Sequence, residues 1–84
     1  MNDATALLPE TVRPEVLEIL RQLDLLDAAG HVKLLDSLAT VDLVAELEQR
    51  FGLSMPTRVM NPTYLATVEK IVNTVCAESK ARGA

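Results

Sequence analysis

The sequence predicts an all-α domain of three main helices, one short helix and a long connection between the first two. Apolar residues recur at three- and four-residue spacing in three separate segments, as expected of helices that each bury one face. The apolar side chains are mostly Leu, Val and Ala, with one Phe, one Tyr and no Trp, a mix suited to aliphatic helix packing rather than an aromatic-rich β-sandwich. Capping residues stand where the periodic segments begin and end. A chain of 84 residues accommodates one such domain.

The first helix is expected from about Glu10 to Leu26. Val16, Leu17, Ile19, Leu20, Leu23 and Leu26 form its apolar stripe, and Glu15, Glu18, Arg21, Gln22 and Asp24 its polar face. Pro14 is then placed in the first turn, where a missing N–H costs little. Residues 1–9 read as a flexible lead-in. Residues 28–35 lose the period and contain Gly30, so they are read as a loop that tucks Leu34 or Leu35 under the bundle. Asp36 can cap a second helix that starts at Ser37 and stops after Phe51, where Gly52 supplies a left-handed terminator. Asn61 as cap and Pro62 as first residue start a short helix through Tyr64 or Leu65. The last helix is expected from about Thr67 to Ser79, burying Val68, Ile71, Val72 and Val75, with a frayed tail over 80–84. The domain proper thus spans residues 10–79.

Charge narrows the function. A net charge of −4 and a pI near 4.8 repel phosphate backbones, which argues against nucleic acid and for basic partner surfaces. No apolar run reaches membrane-spanning length. The opening Met1-Asn2-Asp3-Ala4-Thr5 lacks the basic and apolar regions of a secretory signal. Cys76, the single cysteine, has no internal disulfide partner, so a reduced, cytoplasmic setting is expected.

The second helix carries the chemistry. With Leu38 at zero on a helical wheel, Leu43, Leu47, Thr40, Phe51 and Val44 fall between about 140° and 240°, forming the core stripe. Leu38, Val41 and Ala45 fall off it, between about 300° and 360°. Asp42, Glu46, Glu48 and Gln49 border them. An apolar strip edged by carboxylates, opposite the core, is what a partner surface looks like. Ser37, at the first helical position, holds its hydroxyl outward, where a phosphodiester would lie beside free N–H groups and the positive end of the helix dipole. A helical docking module without any prosthetic group would explain the strip equally well but not the Asp36-Ser37-Leu38 context.

The block Leu34-Leu35-Asp36-Ser37-Leu38-Ala39-Thr40-Val41-Asp42-Leu43-Val44-Ala45-Glu46-Leu47-Glu48-Gln49-Arg50-Phe51-Gly52 resembles the signature of acyl and peptidyl carrier proteins. Met55-Pro56 and Thr67-Val68 resemble that family's loop and last helix, and the likeness covers about residues 10–78. The Leu-Leu-Asp-Ser form is most similar to D-alanyl and other discrete aminoacyl carriers. Ala39 and Arg50 stand where fatty-acid carriers of bacteria commonly have acidic residues.

The resemblance implies a four-helix bundle with a short third helix and a covalent 4′-phosphopantetheine on Ser37. Asp36 would help a phosphopantetheinyl transferase dock and orient coenzyme A with its magnesium ion. Leu38, Val41, Ala45, Asp42, Glu46 and Glu48 would form the recognition face. The implied partners are that transferase, an acyl- or aminoacyl-loading ligase or acyltransferase, and a downstream synthase. The implied role is a monomeric, non-catalytic carrier in polyketide or nonribosomal peptide biosynthesis.

The remaining candidates read as structural. Met55, Met60 and Tyr64 suit core filling near the short helix, although Arg58, Val59 and Met60 would alternatively line the approach to the arm and help select the partner. His31 suits a solvated loop, and Cys76 a small buried hydrophobe. No spacing of Cys, His or acidic residues suggests a metal site.

Overall fold

A computed structural model describes residues 7–83. Four α-helices occur among them: α1 (Pro9–Gln22), α2 (Ser37–Phe51), the one-turn α3 (Pro62–Leu65) and α4 (Val68–Gly83), with a 3-10 turn at Thr57–Val59. This is the expected all-α bundle, short third helix included. α1 packs against α2 and α4, and α3 lies on α4. The core is aliphatic: Val12, Val16, Ile19 and Leu20 of α1 meet Leu43 and Leu47 of α2, and Ile71, Val72 and Val75 of α4. Burial of each such side chain contributes about 1.5–3 kcal/mol.

The boundaries of α1 differ from the sequence reading at both ends. Pro9 is its first residue rather than the end of the lead-in, and Leu7 N–H donates to Ser79 Oγ of α4 at 3.2 Å. The rest of the expected lead-in, residues 1–6, lies outside the described residues, as does Ala84 of the expected tail. Pro14 therefore sits inside the helix, beyond its first turn. α1 also stops at Gln22, four residues before Leu26. Asp24 adopts a left-handed conformation, φ 57°, and the Asp24 and Leu25 amides donate back to the Arg21 and Leu20 carbonyls at 3.1 and 2.8 Å. This pair of bonds is a Schellman termination. Asp tolerates the left-handed region better than most residues with a Cβ, so the helix ends without the glycine that would have advertised it.

The connection from α1 to α2 is folded rather than loose. Leu26 and Val32 form an isolated antiparallel bridge, and Asp27 Oδ1 accepts from the Ala29 and His31 amides, both at 2.9 Å. Those amides, His31 foremost, hold the Asp27 carboxyl below its ordinary pKa. Of the two leucines expected to tuck in, Leu35 packs on the core while Leu34 is 98 % exposed.

After α2, Gly52 is left-handed at φ 65°, as its position predicts. Leu53, Met55 and Val59 are buried and carry the chain to α3. Asn61 Oδ1 caps α3 by accepting from Thr63 N–H at 2.8 Å, with Pro62 as first residue. Thr67 Oγ1 accepts from Lys70 N–H at 3.1 Å at the start of α4. The α4 backbone runs past Ser79 to Gly83. Of the residues expected on its buried face, Ile71, Val72 and Val75 are fully buried and Val68 is half-buried. No helix among the described residues is long and apolar enough to cross a membrane.

Candidate functional site

The head of α2 is built by Asp36. Its side chain accepts from Ala39 N–H at 2.7 Å, its carbonyl accepts from Thr40 N–H at 2.9 Å, and Thr40 Oγ1 donates to that same carbonyl at 2.8 Å. Three bonds to one residue fix where the helix begins and leave Ser37 at its first position, exposed. The Ser37 and Leu38 amides lie in the first turn, where no intrahelical acceptor exists. A nucleophilic oxygen thus stands in solvent beside free donors at the positive end of a 15-residue helix.

A cleft of about 350 Å³ opens beside that oxygen. Ser37, Thr40 and Val41 line one wall, and Met60, Asn61 and Pro62 the other. A second cavity of about 310 Å³ shares Leu35, Thr40, Asn61 and Pro62 with it and reaches Val32 and Ala66. Ser37 is exposed, its hydroxyl makes no hydrogen bond among the described residues, and it borders open space rather than packed interior.

A family model described as the phosphopantetheine attachment site matches residues 35–75, from the residue before Asp36 to the third turn of α4. The matched span is a phosphopantetheine-binding carrier domain. No curated protein and no solved structure matches it. The family carries 4′-phosphopantetheine covalently on a serine, and its members meet a phosphopantetheinyl transferase and acyl-handling enzymes.

In this carrier the residues singled out from sequence fall into two groups. Asp36, Ser37, Leu38, Val41, Asp42 and Ala45 are all exposed along one side of α2, with Leu38 70 % and Val41 51 % accessible. Glu46 is half-buried beside them. Glu48 is engaged within the fold: its Oε2 accepts from Met55 N–H at 2.7 Å and holds the loop after α2. Arg58 is exposed, and its guanidinium pairs with Glu78 of α4 at 2.9 Å. Met60 forms part of the cleft wall. Val59, weighed as a lining residue for the arm, is fully buried, because the 3-10 turn points it into the core.

Of the opposite wall, sequence reasoning singled out Met60 but missed Asn61 and Pro62. Asn61 and Pro62 were legible as the start of α3, and Thr40 as part of the core stripe, but nothing in their spacing placed them together beside Ser37. Arg50, read as a departure from acidic relatives, joins α2 to α1 by donating to Glu15 at 2.5 Å and Glu18 at 2.9 Å. Those acceptors raise its pKa further above the ordinary value. Cys76 packs half-buried against the core, and burial pushes its thiol pKa up.

Proposed function

We propose that Ser37 is the attachment residue, and that the carrier holds an acyl or aminoacyl group for partner enzymes. The observation that carries this is the exposed hydroxyl at the head of α2 inside the matched span. Within residues 35–75 the only other serine is Ser54, which lies in the loop after Gly52 and opens no helix.

The prosthetic group supplies a terminal thiol that holds its cargo as a thioester. The protein's own residues do the rest. Asp36 fixes the helix start and so the direction in which Ser37 Oγ points. The unpaired amides of the first turn receive the negative charge of a phosphodiester on that oxygen. Leu38, Val41 and Ala45 give a short-range apolar contact, and Asp42 and Glu46 steer the face toward basic surfaces. A face this small suits partners that must bind and leave in turn, while tethering raises the cargo's effective concentration at each of them. None of these roles requires a reaction catalysed by the carrier itself.

The cargo in this reading is an amino acid or a short acyl starter, in a polyketide or nonribosomal peptide pathway. Its support is the Leu34-Leu35-Asp36-Ser37 run, similar to D-alanyl and other discrete aminoacyl carriers.

Intact mass after incubation with coenzyme A and a broad-specificity transferase tests the attachment. Wild type and Ser54→Ala should each gain one phosphopantetheinyl group, and Ser37→Ala none. An equal gain on Ser37→Ala would end the assignment. Loading with a panel of acyl- and aminoacyl-adenylates tests the cargo, where acceptance of malonyl groups alone would count against it.

A further inference from the structure

Four large apolar side chains are exposed among the described residues, and three of them, Leu34, Leu38 and Val41, lie within eight positions around Ser37. Leu34 is the extreme case at 98 % exposure, and it is not on α2 at all. Its neighbours show that the exposure is imposed. Lys33 N–H donates to the Leu25 carbonyl at 2.8 Å, Val32 is bridged to Leu26, and Leu35 packs on the core. The chain on both sides of Leu34 is thus tied down, and the leucine is left in water at the edge of the second cavity. Three peptide links reach at most about 10 Å, so Leu34 stands close to the reacting oxygen.

Charge around this leucine is one-sided. From Leu34 to Gln49 the chain has four acidic residues and no basic one. The nearest cation, Lys33, turns its ammonium to Asp24 at 3.4 Å. The complementary surface is an apolar socket with a basic rim.

We propose that Leu34, beside the recognition face that already includes Leu38, is an apolar anchor for the enzyme that installs the prosthetic group, an inference that rests on Ser37 being the attachment residue. The reaction chooses this occupant. In the transfer, a bond forms between Ser37 Oγ and a phosphorus of the coenzyme A pyrophosphate, and the bond from that phosphorus to the bridging oxygen breaks. Adenosine 3′,5′-bisphosphate leaves, and the hydroxyl proton passes to a base on the transferase. That enzyme must bring its catalytic centre to within bonding distance of Ser37 Oγ, so its surface necessarily covers the residues on either side. Enzymes that act at the far end of a flexible arm are under no such constraint.

The test compares initial rates of modification for apo wild type, Leu34→Glu, Leu34→Asn, Leu34→Met and Leu8→Glu, with thermal melts of each. Leu8 is the fourth exposed large apolar residue, 54 % accessible and remote in sequence from Ser37, so it controls for an added charge. The expected result is a loss of about tenfold in kcat/KM for Leu34→Glu and Leu34→Asn, carried mainly by KM, with melting temperatures unchanged. Leu34→Met should retain most of the rate, and Leu8→Glu should match wild type. Modification of Leu34→Asn at the wild-type rate would overturn the proposal, as would an equal loss in Leu8→Glu. Wild-type modification coupled with slower cargo loading would also overturn it, by assigning Leu34 to a cargo enzyme. If the wild type itself gains no mass on Ser37, the attachment assignment fails instead, a distinct outcome.

Discussion

The two ends of α2 use charged and apolar residues in opposite ways. At the front, Leu38, Val41 and Asp42 are exposed and make no ion pair within the described residues. At the rear, Glu48 holds the Met55 amide and Arg50 clamps Glu15 and Glu18 of α1. One helix is therefore half exposed surface, the docking face of the proposed function, and half fastening. A count of carboxylates along α2 overstates the negative face, since Glu48 is engaged inside the fold and only Asp42 and Glu46 remain to meet a partner.

The sharpest way to break this contrast is to truncate one leucine from each face. Leu47 is fully buried in the core, and Leu38 is 70 % exposed. Leu47→Ala should cost about 2–5 kcal/mol through lost burial and the cavity left behind. Leu38→Ala should change stability by less than about 0.5 kcal/mol yet slow the reactions of partner enzymes. Denaturant unfolding beside a modification assay reads both. A large stability loss from Leu38→Ala would mean that the front strip is part of the core after all.

The carboxylates give the next contrast. Glu48→Ala leaves a part-buried amide without its acceptor, which should cost about 1–3 kcal/mol and loosen the loop that carries Met55 and Val59. Asp42→Asn should leave the denaturation midpoint in place and weaken association with a basic partner, most visibly at low salt. Equal stability losses in the two variants would erase the distinction between front and rear.

Asp36 caps α2 and, in the proposed reading, also helps the transferase dock; two substitutions separate these roles. Asp36→Ala removes the acceptor for Ala39 N–H and should cost about 1 kcal/mol. Asp36→Asn keeps a good cap and loses only the charge. Slower prosthetic-group transfer in Asp36→Asn at unchanged stability would isolate the carboxylate's part in docking.

The bundle and the head of α2 were legible from sequence because typed residues mark them. Asp36 before Ser37, Gly52 after Phe51 and the Asn61-Pro62 pair each have one favoured backbone role, and each is found in it. α1 was overextended because Asp24 terminates it in a conformation usually left to glycine, while Leu23 and Leu26 kept the apolar period going. The fastening role of Glu48 was illegible for a different reason. On a helical wheel it borders the exposed strip, and only the fold of the following loop brings the Met55 amide to its carboxylate. Arg50 depends likewise on α1, 32 and 35 residues away in sequence. Local pattern found the surface that faces outward; the residues engaged across elements required the tertiary structure.

The smallest expected effect concerns acid, and it separates two kinds of exposed carboxylate. Glu69 of α4 is hydrogen-bonded by Arg13 of α1, which holds its pKa below the ordinary 4.5. Asp27 is held below its ordinary 3.8 mainly by the His31 amide, with the Ala29 amide contributing. Both pKa values are lower folded than unfolded, so each contribution is complete above the ordinary value and is lost as pH falls through the folded one. Melting temperature should therefore be flat near neutrality and begin to fall below about pH 5. The two partners differ in how salt reaches them. An exposed guanidinium–carboxylate pair is screened, whereas short bonds from fixed backbone amides are not. Glu69→Gln should flatten the acid limb at low salt and have little effect at high salt, while Asp27→Asn should act equally at both. Thermal melts of the two variants across the acid range at low and high salt decide this, and a salt response in Asp27→Asn as large as that in Glu69→Gln would mean that long-range charge, not the turn's amides, governs the loop.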